Sequence, residues 1–126
     1  MRNIEVNSHG TVFTSRAAAV MQDMADEMGR TIADRGVDTV RAEFAKVVQH
    51  PTGHYSSQIH RTSFGSRHVI DDGGMIYGPW LAGVGSRNKT TRFKGYAHWR
   101  RAAQILQRSV LAVARGMMPR YIARLQ

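Results

Sequence analysis

Six histidines have the widest chemical range in this chain: His9, His50, His54, His60, His68 and His98. An imidazole can ligate a metal or move a proton near neutral pH. None of the six sits in an HExxH motif, and no carboxylate lies at metal-ligand spacing from them. His50 and His54 are four apart, but Pro51 and Gly53 between them make a turn, so they do not share a helix face. A general base also needs a nucleophile or acid partner within reach, and the sequence offers no distinctive one. Asp71-Asp72-Gly73-Gly74 reads as turn chemistry rather than a paired-carboxylate site. No serine lies in a GxSxG elbow. Cysteine is absent, which excludes disulfides and thiolate metal sites. The sequence therefore assigns no catalytic, cofactor-binding or metal residue, and the expectation is a protein that is not an enzyme.

The stretch Gly83-Val84-Gly85-Ser86-Arg87-Asn88-Lys89-Thr90 has the glycines and Lys-Thr of a phosphate cradle. It lacks both the Walker spacing and the third glycine of a dinucleotide loop. Its glycines read better as positions that permit a tight backbone path. The wider segment Tyr77–Tyr96 carries four glycines, four aromatics, four Lys/Arg and no carboxylate. It reads as a shaped basic loop between two ordered parts, where recognition residues are usually found. Basic residues interleaved with aromatics suit phosphate neutralisation and base stacking. The alternative is a solvated basic loop whose Phe93, Tyr96 and Trp99 anchor it to its own core, and this is the reading favoured for those three. No helix-turn-helix, RNP, KH or zinc-finger signature is present, which argues against specific base readout.

Charge is one-sided. All nine Asp/Glu residues lie at or before Asp72, while Gly73–Gln126 holds ten Lys/Arg and no acid. The net charge of +9 therefore belongs to the C-terminal half. Such a surface attracts nucleic acid, anionic lipid or an acidic protein. A length of 126 residues with 42% hydrophobic content corresponds to a single domain over 1–126. No apolar run approaches the ~20 residues of a membrane span, and Met1-Arg2-Asn3-Ile4-Glu5 has no signal-peptide core.

The elements that must position these residues follow from periodicity. Residues 1–12 read as a flexible arm, or a short strand that needs a partner. Ser15 is a candidate N-cap. Ala18, Met21, Met24 (or Ala25), Met28 and Ile32 predict an amphipathic helix over 15–35, core-facing and stopped by Gly36. Gly29 within it suggests close packing. A second helix opens at Val37 or Asp38, with Val40, Phe44, Val47 and Val48 on its apolar face, and ends before Pro51. Tyr55–Phe64 reads as a strand. Ser66–Ile70 and Met75–Tyr77 read as a hairpin around the Asp-Asp-Gly-Gly turn. The last helix follows Gly95, with a stripe of Trp99, Ala102 (or Ala103), Leu106, Val110, Val113 and Met117. Arg100, Arg101, Gln104, Gln107, Arg108 and Arg115 form its polar face. Pro119 should end or kink it. The fold class is α+β: a small antiparallel sheet of three to four strands on two or three helices, with a long basic C-terminal helix.

Two blocks carry a family resemblance. Pro51-Thr52-Gly53-His54-Tyr55, and Tyr77–Asn88 followed by Thr91–Tyr96 and a basic helix, resemble the neck or tail-completion proteins of long-tailed bacteriophages. The resemblance spans roughly residues 37–110 and is carried mainly by 77–96. That family has Glu where this chain has Ala82, which puts any pairing of that carboxylate with a loop arginine in doubt. The resemblance implies a virion structural protein without enzyme activity. It would form a homo-oligomeric ring, a hexamer, at the head–tail junction, after assembly in the host cytoplasm. Its partners would be the connector and tail proteins, with non-specific contact to channel DNA open and no membrane. A tail terminator and a nucleic-acid-binding module are the alternatives. Tyr77, Trp80, Arg87, Asn88, Arg92, Phe93, Lys94 and Tyr96 are the expected assembly residues. Tyr77, Pro79 and Trp80 would shape the loop, and Arg87, Asn88, Arg92 and Lys94 would meet the neighbour.

Overall fold

A computed structural model describes residues 3–7, 16–48 and 53–126. The chain is α+β: a three-stranded antiparallel sheet against two long helices and two short ones. Helix α1 runs unbroken over Arg16–Val47. The break expected at Gly36 is absent, and so is a separate helix from Val37. Gly29, Ile32, Ala33, Gly36, Val40 and Phe44 are all buried, so one helical stripe passes straight through the glycine. The lack of a side chain at Gly36 is what lets the sheet close on the helix. A Cβ there would overlap Ile70 Cδ1 and stand 3.2 Å from Leu106 Cδ1. The expected methionine stripe meets the core at Met24, Met28 and Ile32 and departs from it at Met21. Met21 is exposed, Met24 and Met28 are partly buried, and Val20 takes the core position. The expected cap at Ser15 and the stop before Pro51 lie outside the described residues.

Tyr55–Phe64 is not one strand. Its first part is a short helix α2, His54–Gln58, and only His60–Phe64 is strand β2. Tyr55 and Ile59 are both buried, four residues apart, which is helical rather than alternating burial. Strand β3 is Arg67–Asp71, joined to β2 by the tight turn at Gly65-Ser66. The third strand is β1, Ile4–Asn7, which pairs antiparallel with β3 from Ile4↔Ile70 to Asn7↔Arg67. The arm reading is corrected for these residues, because the strand finds its partner within its own chain. The sheet order is β1-β3-β2. Met75–Tyr77 is not a strand, and Asp71–Gly74 does not connect two strands. Asp71 and Asp72 instead accept from the backbone N–H groups of Gly73 and Gly74 at 2.9 and 3.1 Å, which fixes a turn at the sheet's end.

Helix α3, Gly78–Ala82, and a 3₁₀ turn, Ser86–Lys89, lie within the basic segment. Helix α4 spans His98–Leu125 and continues through Pro119. Tertiary contacts beyond the proline hold it. Arg120 and Arg124 reach Glu27 and Asp23 of α1 at 2.8 Å each, and the Tyr121 hydroxyl donates to Glu27. With Arg101 near Glu43 at the other end, α1 and α4 lie antiparallel along their length. Trp99, Ala102, Leu106, Val113 and Met117 of α4 are buried as expected, and Val110 is partly exposed.

Candidate functional site

The segment Tyr77–Tyr96 folds as a compact loop with a closed neck and a filled centre. The neck is Gly83 against Gly95. Both have positive φ, 85° and 93°, and a Cβ on either would collide with the backbone of the other strand of the neck. The Tyr96 N–H donates to the Leu81 carbonyl at 2.8 Å just outside the neck. The centre is filled by Asn88, which is 4% exposed. Its amide donates to the carbonyls of Trp80 and Phe93, at 3.1 and 3.2 Å. Its Oδ1 accepts from the Gly85 N–H at 2.9 Å. One side chain thus ties the loop's two limbs and its turn together. Lys94 adds a second tie, its Nζ donating to the carbonyls of Asn88 and Lys89 at 2.8 and 3.3 Å.

Aromatic rings connect this loop to the core. Trp80 meets Phe93 at 4.9 Å between centroids, Phe93 meets Tyr96 at 4.9 Å, and Tyr96 meets Phe44 of α1 at 5.8 Å. Tyr77 packs at 5.9 Å from Tyr55 at the other side of the same core. Trp99 is fully buried, and its indole N–H donates to the Tyr55 hydroxyl at 3.2 Å. Tyr55 in turn donates to buried Asp72 at 2.9 Å. Burial pushes the Tyr55 hydroxyl above its ordinary range. Gly78 abuts Asp72 so closely that a Cβ would overlap the carboxyl, which locks α3 onto this network.

The expected assembly residues therefore divide into two groups. Arg87 and Arg92 are exposed and, among the described residues, their guanidinium groups make no ion pair; exposed Lys89 joins them. Tyr77 is partly exposed beside fully exposed Ile76. Trp80, Phe93 and Tyr96 are half-buried anchors. Asn88 and Lys94 are turned to bracing the loop and do not offer free polar groups outward. Ala82 is buried at the foot of the loop, inside the core cluster of Phe44, Tyr55 and Trp99.

The histidines are dispersed. His60 lies 3.3 Å from Asp71 on the surface. His68 shares a 2.8 Å hydrogen bond with Ser63, and burial lowers its pKa. His98 is fully buried between Phe44, Tyr55 and Trp99, and neither ring nitrogen has a hydrogen-bond partner. Burial, helped by the Arg101 charge, pushes His98 down to about 4. Among the described residues no three His, Asp or Glu side chains gather as a metal site would require. His9 and His50 lie outside the described residues.

The sequence reading missed two further features: the Tyr55–Asp72–Trp99 network, and an apolar groove between β1, α1 and α4. The network left no local pattern, because its members lie far apart in the chain. The groove left none either, because its walls come from β1, α1 and the first half of α4. Comparison with known proteins finds no matching family model, no matching curated protein and no matching solved structure.

Proposed function

We propose that this chain is a structural virion protein of a long-tailed bacteriophage, forming a homo-oligomeric neck ring between the portal complex and the tail. The observation that carries this reading is the pre-built loop 77–96. Its neck, its Asn88 brace and its aromatic anchors fix the backbone in the isolated protomer. Arg87, Lys89 and Arg92 are thereby held outward on a frame that has little left to lose in ordering. Rings close through heterologous contacts, in which one protomer's surface meets a different surface of the next. Arginine and tyrosine on a rigid frame suit such a contact. The resemblance in 77–96 supplies the place in the particle and the six-fold count. A tail terminator would use the same loop to cap the tail tube.

The test is Arg87→Glu with Arg92→Glu in the infecting particle. Both positions are exposed, so the protomer still folds, and unjoined heads and tails accumulate. Normal joining overturns the loop as the interface. A reconstruction of wild-type particles then decides the site. A closed ring of this chain lies at the portal–tail junction for a neck protein and at the tube end for a terminator. No copy in the particle ends both readings.

The same unpaired cations favour a second reading, a non-specific nucleic-acid-binding module. The aromatics that would stack bases face inward, which removes half of its support. It requires steeply salt-dependent DNA affinity from the monomer, and no binding at ~50 mM salt sinks it.

A further inference from the structure

Helix α4 has a second apolar stripe that nothing among the described residues covers. Leu111, Met118, Ile122 and Leu125 are 59%, 43%, 46% and 48% exposed. Their spacing of seven, four and three residues places them on one helix face, the pattern of a seam that receives another helix. The stripe runs about 21 Å at the rise of an α-helix. One turn earlier, at Gln107 and Val110, it meets a groove of about 770 Å³ walled by Ile4 and Val6 of β1 and floored by Met28 and Ile32 of α1.

The charges along this face say what covers it. Arg108 and Arg115 stand one turn either side of Leu111, and Arg100 lies at the groove; all three are exposed and make no ion pair among the described residues. No carboxylate exists anywhere in α4. Two copies meeting through this face would set arginine against arginine, and the carboxylate at the groove, Glu5, is already paired with Arg67. A nucleic acid would satisfy the arginines and leave the leucines wet. We infer that this face docks an acidic amphipathic helix of a different protein, its apolar side on the Leu111–Leu125 stripe and its carboxylates on Arg108 and Arg115. The surface is separate from the 77–96 loop and stands whether or not the chain serves a phage neck.

The probe is a synthetic peptide of about three heptads with Leu at the two seam positions and Glu flanking them. A scrambled peptide of the same composition is the control. Titration into the full chain at ~150 mM salt, where long-range charge effects are screened, is followed by calorimetry and by peptide helicity. The striped peptide binds one to one, becomes helical, and binds roughly tenfold or more tighter than the scrambled one, about 1.4 kcal/mol. Leu111→Ser with Ile122→Ser, at exposed positions that leave the melting curve unchanged, removes that preference. Arg108→Glu with Arg115→Glu abolishes binding. Equal affinity for both peptides, no binding, or indifference to the Leu111 and Ile122 changes overturns the inference. Tighter binding to phosphatidylserine–phosphatidylcholine vesicles than to the peptide replaces it with a bilayer.

Discussion

His98 makes the stability of this fold depend on pH in a defined window. The imidazole has no exposed surface and no hydrogen-bond partner, and it sits among three aromatic rings with Arg101 nearby. Its pKa falls from 6.5 to about 4 in the fold. The unfolded chain therefore takes up a proton below 6.5, whereas the native chain refuses it until about 4. The stability that the neutral ring supports is complete above 6.5 and is lost as pH falls through that window. At roughly 1.4 kcal/mol per pH unit, the loss from this one group is about 2 kcal/mol on going to pH ~5. That pH lies above most carboxylate titration, so the histidines dominate. His68, also lowered by burial, acts in the same direction. The assay is urea denaturation from pH ~7.5 to ~5 for the wild type and His98→Phe, which keeps a ring of similar shape without a titrating group. The difference between the two curves isolates His98, whatever the substitution does to stability at neutral pH. Parallel curves refute the reasoning, because they mean that the ring is hydrated or paired in the native state.

Two further perturbations test the frame. Gly36→Ala adds a methyl that overlaps Ile70 Cδ1, so overpacking outweighs the helix-propensity gain and stability falls by about 1 kcal/mol; Ile70→Val removes that atom, and the double mutant recovers most of the Gly36→Ala loss in denaturation midpoints. Asn88→Ala removes the three bonds that join the loop's limbs, but the Trp80 carbonyl keeps the Gly83 N–H, the Phe93 carbonyl keeps the Thr91 hydroxyl and the Gly85 N–H keeps the Pro79 carbonyl, so the cost is about 1 kcal/mol, with amide exchange accelerating in 83–95 while α1 and α4 keep their relative protection.

The fold class was readable because its strongest signal is long-range periodicity. The α4 stripe from Trp99 to Met117 places five of its side chains in the core. What misled local reading was residues whose usual role was overruled by packing. Gly36 looks like a helix stop, yet it falls on the stripe of Ile32, Val40 and Phe44, and that phase was the available clue. Pro119 looks like a terminator, yet the contacts of Tyr121 and Arg124 with α1 hold the helix past it. Tyr55 is rich-strand chemistry in sequence, but its hydroxyl is claimed by Asp72 and its phase by Ile59. The hairpin was misplaced for a similar reason. Asp71-Asp72-Gly73-Gly74 has turn residues, but only Gly65-Ser66 sits between two runs that pair. At the loop, composition marked the right segment and not the division of labour within it. Asn88 and Arg87 are neighbours of similar polarity, and only the three-dimensional neck decides that one is buried while the other is free.

The distribution of charge joins the loop and the uncovered stripe. In sequence, the acids belong to the first half and the excess cations to the second. Folding brings α1 against α4, and Glu43, Glu27 and Asp23 meet Arg101, Arg120 and Arg124. The Arg120 hydrogen bond holds the Glu27 carboxyl below its usual range, so this pairing persists into mild acid. Lys94 is taken up by backbone carbonyls. The cations of the second half left without a partner among the described residues are then Arg87, Lys89 and Arg92 on the loop, and Arg100, Arg108 and Arg115 on the outer face of α4. Internal pairing has thus sorted a diffuse positive half into two separate patches, one polar on a braced loop and one bordering exposed leucines. The two patches match the two contacts proposed above, which differ in kind. Charge reversal at Arg87 and Arg92 and charge reversal at Arg108 and Arg115 should therefore break different associations and leave each other's intact.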